Sequence, residues 1–117
     1  MLPKAQRLSN SIEIREVIRR GVVVRTPNVI AHAQINPGQG IRFGYITGKR
    51  IGGAVVRNRT KRRFRELTKA LITQPVGNEH RIEVMWRLQP GSATATTAQL
   101  ERNIERVWHK ILERVRA

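Results

Sequence analysis

The sequence contains no cysteine and no aspartate. The absence of cysteine excludes a disulfide framework, a thiolate metal site and a cysteine nucleophile. A metal-dependent nuclease needs clustered carboxylates, and all eight acids here are glutamates that fall mostly on predicted helices. The three histidines, His32, His80 and His109, lie in separate predicted elements without metal-ligand spacing. We therefore expect neither catalytic side chains nor a metal site in the protein itself.

Aromatic residues and long apolar runs are also scarce. Aromatics make up 4% of the chain and fall mostly on predicted apolar faces, which argues against an open base-stacking platform. No apolar run approaches the ~20 residues that cross a bilayer, and the first residues lack the apolar segment of a signal peptide. The simplest interpretation is a soluble cytoplasmic protein.

Positive charge is what the chain has in excess. Its 117 residues carry 23 Lys and Arg against 8 acids, a formal net charge of +15. Such an excess destabilises a compact state by self-repulsion unless a polyanion offsets it, so a nucleic acid or an anionic surface is the expected partner. The 39% hydrophobic fraction is typical of a globular protein, and the length suits one domain over residues 1–117.

Local patterns predict three helices and four strands in one α+β domain. The first helix covers about 11–20, with a capping box at Asn10 and Glu13 and a stop at Gly21. The last helix follows a second capping box, Thr96 with Gln99. Alternating or β-branched segments predict strands at 22–26, 29–35, 41–47 and 81–88. Because the turn 36–40 joins the second and third strands, we expect those two to pair as an antiparallel hairpin.

The densest positive charge lies in AVVRNRTKRRFRE, residues 54–66, and this segment has helical periodicity. Val56, Thr60, Phe64, Leu67 and Leu71 fall in one sector, and Asn58, Lys61, Arg62, Arg65 and Lys69 lie on the opposite side. Arg63 falls at the edge of the apolar stripe, where its stem can pack and its head can reach water. The helix should end near Thr73, before Pro75 and Gly77. Like charges at i, i+4 repel, so bound phosphates explain this face better than a solvated surface does.

The order of residues around this helix resembles a known family. KRIGGAVVRNRTKRRFRE is similar to the signature of the bacterial ribonuclease P protein component, in which a basic pair, a glycine and an Arg-Asn-Arg motif precede a basic helix. RLSNSIEIREVIRRG resembles the family's first helix, and IEVMWRL resembles its fourth strand. The resemblance implies the order α-β-β-β-α-β-α with a left-handed β-α-β crossover.

The resemblance also implies an activity and partners. In the family, a catalytic RNA removes the 5′ leader of precursor tRNA. This reaction requires Mg²⁺, which is bound mainly by the catalytic RNA. The protein, a monomer within the ribonucleoprotein, binds that RNA and the leader. The residues that match the RNA-binding positions are Lys49, Arg50, Arg57, Asn58, Arg59, Lys61, Arg62 and Arg65.

The positions of this sequence that match the family's leader cleft differ from the family's usual residues. Ile14, Ile18 and His32 stand where aromatics are common, so stacking would be lost at the isoleucines and partly kept at His32. The two isoleucines fit a purely structural core role equally well, because they share a helical stripe with Val17. Two other function classes stay open: a ribosomal-type RNA-binding protein, and a DNA-binding regulator, although no helix-turn-helix pair surrounds the basic helix.

Overall fold

The helices and strands follow the predicted order within residues 6–74 and 79–116, which are the residues that the computed structural model describes. The elements are α1 (Ser11–Arg20), β1 (Val22–Arg25), β2 (Val29–Pro37), β3 (Gly40–Thr47), α2 (Ala54–Thr68), β4 (His80–Leu88) and α3 (Thr97–Arg116). No helix of this described part is long and apolar enough to cross a membrane.

The four strands form one mixed sheet in the order β1-β2-β4-β3. β2 pairs antiparallel with β1 and β4, and β3 pairs parallel with β4. The predicted hairpin of β2 and β3 is therefore wrong, because β4 lies between them. β4 is buried on both faces from Ile82 to Trp86, so a central position covers it better than an edge would. The β3-α2-β4 connection is the parallel unit that the resemblance implies, and its left-handedness stays a prediction.

One face of the sheet packs against α2 and α3 around a group of aromatic rings. Phe43 and Trp86 meet edge to face with ring centroids 5.4 Å apart, and Trp108 of α3 meets Phe43 at 5.8 Å. Phe64 brings α2 into the same group, 5.5 Å from Trp86. Each such fully buried side chain contributes about 2–3 kcal/mol of hydrophobic stabilisation. The few aromatics therefore account for much of this core.

The opposite face of the sheet is covered by α1. Val17 packs with Leu8 and Met85 in a second, smaller cluster. Gly21 ends α1 as predicted, but its φ of −70° is not left-handed. A Cβ there would lie 2.8 Å from the carbonyl oxygen of Ala33, so glycine allows the chain to approach β2 closely.

The predicted helix caps are largely present. Asn10 Oδ1 accepts hydrogen bonds from the amides of Ile12 and Glu13, at 2.8 and 3.3 Å. The Glu13 carboxylate, however, accepts from an arginine of β3 instead of completing the capping box. At α3 the box is complete, because Thr96 and Gln99 exchange both side-chain-to-amide hydrogen bonds.

The helical segment that begins with α2 tightens before it ends. The α-helix stops at Thr68, and a 3-10 turn continues over Lys69–Thr73. The predicted end near Thr73 is thus confirmed for the segment as a whole. The stop assigned to Pro75 and Gly77 lies outside the described residues.

Candidate nucleic-acid interface

A short basic turn leads from β3 into α2. Lys49–Ile51 forms a 3-10 turn in which Ile51 is buried while Lys49 and Arg50 are exposed. Gly52 follows with φ of +144°, in the region that favours glycine. Gly53 is the N-cap of α2, and no side chain caps this helix end. The first amides of α2 therefore point outward without a side-chain acceptor, beside two exposed cations.

The apolar stripe of α2 faces the core as predicted, and threonines extend it. Thr60, Phe64 and Thr68 are the buried residues of the helix. The Thr60 hydroxyl donates to the Val56 carbonyl at 2.7 Å, so it enters the core already hydrogen-bonded. This packing fixes which side of α2 turns outward.

The predicted RNA-binding residues lie together on that outward side and on the turn before it. We name this set the basic surface: Lys49, Arg50, Arg57, Asn58, Arg59, Lys61, Arg62 and Arg65. Arg57, Lys61 and Arg65 are half-buried and the rest are exposed. Across residues 6–74 and 79–116, none of its basic side chains forms an ion pair with a carboxylate. A polyanion would therefore meet charges that are not already neutralised.

Arg65 is held by a residue that the sequence did not place at this site. Its guanidinium carbon lies 5.8 Å from the centre of the Tyr45 ring, a cation–π contact. The Tyr45 hydroxyl is 2.7 Å from the hydroxyl of Thr68. Burial raises the pKa of Tyr45 to about 12, although Thr68 and Arg65 oppose the rise. The alternation along β3 predicts only an apolar strand face for Tyr45, because nothing local indicates a contact twenty residues further along the chain.

A small cleft adjoins the basic surface. Its volume is about 190 Å³, and it lies between residues 7–9, the strand residues 43–45, and the side chains of Lys61 and Arg65. The N-terminal segment reaches this place because the Leu8 amide donates to the Phe43 carbonyl at 2.9 Å, along the outer edge of β3. The cleft offers a concave site whose lining includes three basic residues and two aromatic residues.

Arg63 differs from its neighbours in the helix. It is half-buried, and its guanidinium donates to the Thr97 hydroxyl at 3.2 Å. The predicted position at the edge of the apolar stripe is thus confirmed, and the head group connects α2 to the start of α3.

The structure brings Ile14, Ile18 and His32 to the same face of the sheet. The isoleucines are half-buried against the cluster of Leu8, Val17 and Met85, which fits their alternative interpretation as core residues. His32 lies opposite Met85 in the β2–β4 register, so both point towards α1. Only 6% of His32 is exposed, which leaves little ring surface for a stacked base.

Two arginines that the sequence did not assign to a site surround His32. An Arg87 nitrogen lies 3.4 Å from His32 Nε2. Burial lowers the pKa of His32, and the positive charges of Arg87 and Arg25 lower it further. The imidazole is therefore neutral at physiological pH and can accept a hydrogen bond from Arg87 at Nε2. No hydrogen-bond partner of the buried Nδ1 occurs among the described residues.

An ionic network anchors the N-terminal end of α1 to the sheet. Arg42 donates to Glu13 at 2.6 Å and to Glu83 at 3.1 Å, and Arg81 lies within 3.7 Å of both acids. The hydrogen bond from Arg42 lowers the pKa of Glu13, whereas burial raises the pKa of Glu83. The directions differ because Glu83 is the buried member of the pair. The network fixes how closely α1 approaches β3 and β4.

The described residues do not include a group of three or more metal-ligating side chains. Within residues 6–74 and 79–116, the side chains therefore do not fit a dedicated magnesium site of the carboxylate-rich kind.

Comparisons with known proteins agree on one family. A family model described as ribonuclease P matches residues 2–112. The ribonuclease P protein component of Beutenbergia cavernae is 39% identical over 106 residues, covering 90% of this chain and 87% of the relative. That of Mycobacterium sp. (strain KMS) is 30% identical, covering 100% of this chain and 98% of the relative.

Solved structures have the same fold. The RNase P protein from Staphylococcus aureus matches with a TM-score of 0.68 at 28% identity, covering 96% of this chain and 92% of that one. A mutant of the Staphylococcus aureus protein, described as having defective mRNA degradation activity, matches with a TM-score of 0.78 at 22% identity, covering 92% and 89%. With the family model spanning nearly the whole sequence, the chain belongs to the ribonuclease P protein family.

Proposed function

We propose that this chain is the protein subunit of a ribonuclease P ribonucleoprotein, which removes the 5′ leader of precursor tRNA in the cytoplasm. In this proposal the RNA subunit performs the hydrolysis. The protein, present as a monomer, binds that RNA and the leader.

The basic surface is the observation that carries the proposal. It combines exposed guanidinium groups, one amide side chain and an uncapped helix N-terminus, and its charges have no ion-pair partner among the described residues. Guanidinium groups can contact phosphates through two hydrogen bonds, and helix N-termini bind anions through free amides. Asn58 can donate and accept at once, so it can contact a base edge or a ribose hydroxyl. This set suits a folded RNA with closely spaced phosphates.

The sheet face beneath α1 is the proposed place of the leader. The half-buried isoleucines supply apolar contact, while Arg25 and Arg87 supply positive charge next to the neutral His32. Because little of His32 is exposed, we assign the larger part of leader affinity to these arginines and a smaller part to stacking. A leader without fixed sequence would suit such contacts, since phosphate contacts carry no base information.

Magnesium enters the proposal as an ion of the RNA. The chain lacks aspartate, and the described residues lack a cluster of metal-ligating side chains. When bound, the ion would activate the water that attacks the scissile phosphate. The protein's own contribution is to hold the substrate near the RNA and to offset repulsion between the two RNAs.

The ribosomal-type alternative is not favoured. It would use the same positive charge without the ordered motif, whereas the family model covers residues 2–112 and includes that motif.

Reconstitution tests the proposal. We expect the protein, mixed with a bacterial ribonuclease P RNA at low magnesium, to increase cleavage of precursor tRNA at the 5′ end of the mature sequence. The double variant Arg57→Ala/Arg59→Ala should lose most of that increase. A matched control, Arg102→Ala/Arg116→Ala, removes the same charge from exposed positions of α3 and should keep it. No increase with the unmodified protein, or an equal loss in both variants, would contradict the proposal.

A further inference from the structure

The exposed side of α3 carries a second row of positive charge. Four basic residues recur at four-residue intervals: Arg102, Arg106, Lys110 and Arg114. Neighbours in this row have like charge at i, i+4, which destabilises an isolated helix. None of the four pairs with a carboxylate in the described part of the chain, where the ion pair within α3 joins His109 and Glu113 at 3.0 Å. Within the described residues, the positive charge of this row is therefore not neutralised by ion pairs with carboxylates.

Part of this row lines a groove. Arg106, Lys110 and Arg114 face β1, and together with Val22–Arg25 and Glu113 they enclose about 410 Å³. Successive basic residues are about 6 Å apart along the helix axis, because four residues rise by that distance. β1 is an edge strand of the sheet, so the groove is open along its length. We name it the β1–α3 groove.

The groove is separate from the basic surface. The strand order β1-β2-β4-β3 places β1 at one edge of the sheet, whereas the cleft beside Lys61 and Arg65 borders β3 at the other edge. Three strand spacings separate these edges, about 14 Å. The groove therefore lies at the opposite edge of the sheet from the cleft beside the basic surface.

We propose that the β1–α3 groove binds the phosphate backbone of a further RNA segment, a third RNA site beside the basic surface and the leader site of the proposed function on which it rests. The lining favours a nucleic acid over a protein. Interfaces with proteins usually contain buried aromatic or apolar anchors, whereas interfaces with nucleic acids are polar and positively charged. Here the charged heads belong to Arg106, Lys110 and Arg114 of α3, whereas the Arg25 charge lies on the side of His32. On β1, Val24 is buried in the core and Val23 is 42% exposed. The single acid, Glu113, is within ion-pair distance of His109.

The salt dependence of RNA binding tests the groove. The variant Arg106→Ala/Lys110→Ala removes two phosphate contacts, so the slope of log K against log salt should fall by about 1.5 and affinity by on the order of ten-fold. The control Arg102→Ala/Arg116→Ala removes the same charge from α3 residues that do not line the groove, and should change the slope little. A charge-preserving variant, Arg106→Lys/Lys110→Arg, should bind like the unmodified protein.

Two RNA probes make it possible to distinguish a failure of the groove proposal from a failure of the proposed function. Ribonuclease P RNA reports the biological partner, and a short oligouridine reports backbone binding that needs no such activity. Losses from the groove variant and from Arg62→Ala/Arg65→Ala should multiply when combined, because distant sites act independently. The proposal is overturned if both α3 variants weaken binding equally, since net charge alone would then explain the effect. An unchanged slope on both probes also overturns it.

The absence of cysteine allows a direct test of location. With a photo-crosslinker attached at Lys110→Cys or at Arg62→Cys, we expect crosslinks to two different segments of ribonuclease P RNA. Crosslinks from Lys110→Cys that are no stronger than those from Ala98→Cys, an exposed α3 position outside the groove, would contradict an RNA site in the groove.

Discussion

Tyr45 connects the core to the basic surface at the scale of a single residue. Its ring packs on Phe64 with centroids 6.3 Å apart, its hydroxyl contacts Thr68, and Arg65 lies over its face. One side chain thereby limits the positions that Arg65 can take. An arginine held in place loses less conformational entropy when it binds phosphate than a freely rotating one does.

Because the chain has one tyrosine, its titration can be followed without interference from another. We expect the absorbance of tyrosinate to appear near pH 12 in the folded protein, because burial raises the pKa of Tyr45. Arg65→Ala should raise this pKa further, since the positive charge of Arg65 favours the ionised form. The unfolded chain ionises near the ordinary value of about 10, so stability should decrease as pH rises above that value. Ionisation near 10 while circular dichroism still reports a folded chain would disprove the buried contact.

His32 decides how far base stacking contributes to leader binding. Because only 6% of His32 is exposed, a tyrosine would add stacking surface through the part of its longer side chain that reaches beyond the imidazole, and stacking contributes ~1–3 kcal/mol per base. His32→Tyr should therefore tighten binding of precursor tRNA in the reconstituted complex and leave mature tRNA unchanged. The ratio of the two affinities is the measurement. An equal change for both RNAs would mean that residue 32 acts through folding or assembly. The assignment of the leader to the sheet face beneath α1 would then be dropped.

At the scale of elements, the two faces of α2 have different functions. One face packs in the core, and the opposite basic face is proposed to bind RNA. Arg62→Ala/Arg65→Ala should reduce the salt slope of RNA binding by about 1.5, since each lost phosphate contact reduces it by 0.7 to 0.9. Stability should change little. Relief of like-charge repulsion stabilises the variant, and loss of the contact between Arg65 and Tyr45, about 0.5–1 kcal/mol, offsets that gain. Titrations at several salt concentrations measure the slope, and an unchanged slope would exclude this face as a phosphate contact.

A charged network holds α1 to the sheet in addition to its short apolar stripe. Arg42→Ala would leave Glu83 buried without its closest positive charge, at a cost of about 3 kcal/mol in the free energy of unfolding. Glu13→Ala should cost less, because Glu13 is partly exposed. Burial raises the pKa of Glu83, so the carboxyl becomes neutral more readily as pH falls. The penalty of Arg42→Ala should therefore be smaller in mildly acid solution.

Urea unfolding at neutral and mildly acid pH measures both variants. A penalty for Arg42→Ala that is equal at the two pH values would show that the buried charge of Glu83 is not its cause.

The sequence predicts what depends on neighbouring residues and fails where distant segments decide. The caps of α1 and α3 and the apolar stripe of α2 follow from residues a few positions apart. The pairing of β3 does not, because a strand with alternating polarity fits either β2 or β4 equally well. The contacts of Arg42 and Tyr45 were missed for the same reason. Alternation indicates which face a side chain takes, but not which partner on another element it meets.

On the scale of the whole molecule, the protein should not cleave RNA without its RNA subunit. The chain lacks aspartate and cysteine, and its buried histidine sits between arginines and not beside a carboxylate. We expect highly purified protein with magnesium to leave both precursor tRNA and mRNA intact. Cleavage by the protein alone that disappears on substitution of one side chain would contradict this expectation.

The central place of β4 has a consequence for how the protein is made. Synthesis runs from the N-terminus, so β1, β2, β3 and α2 all leave the ribosome before the strand that joins them. Until then β1 and β2 can form a hairpin, but β3 has no partner strand in the sheet. The nascent chain would expose the apolar faces of β3 and α2, together with a dense array of cations, next to ribosomal RNA. A chain interrupted before residue 80 should therefore be an unfolded polycation, prone to nonspecific RNA binding and to proteolysis.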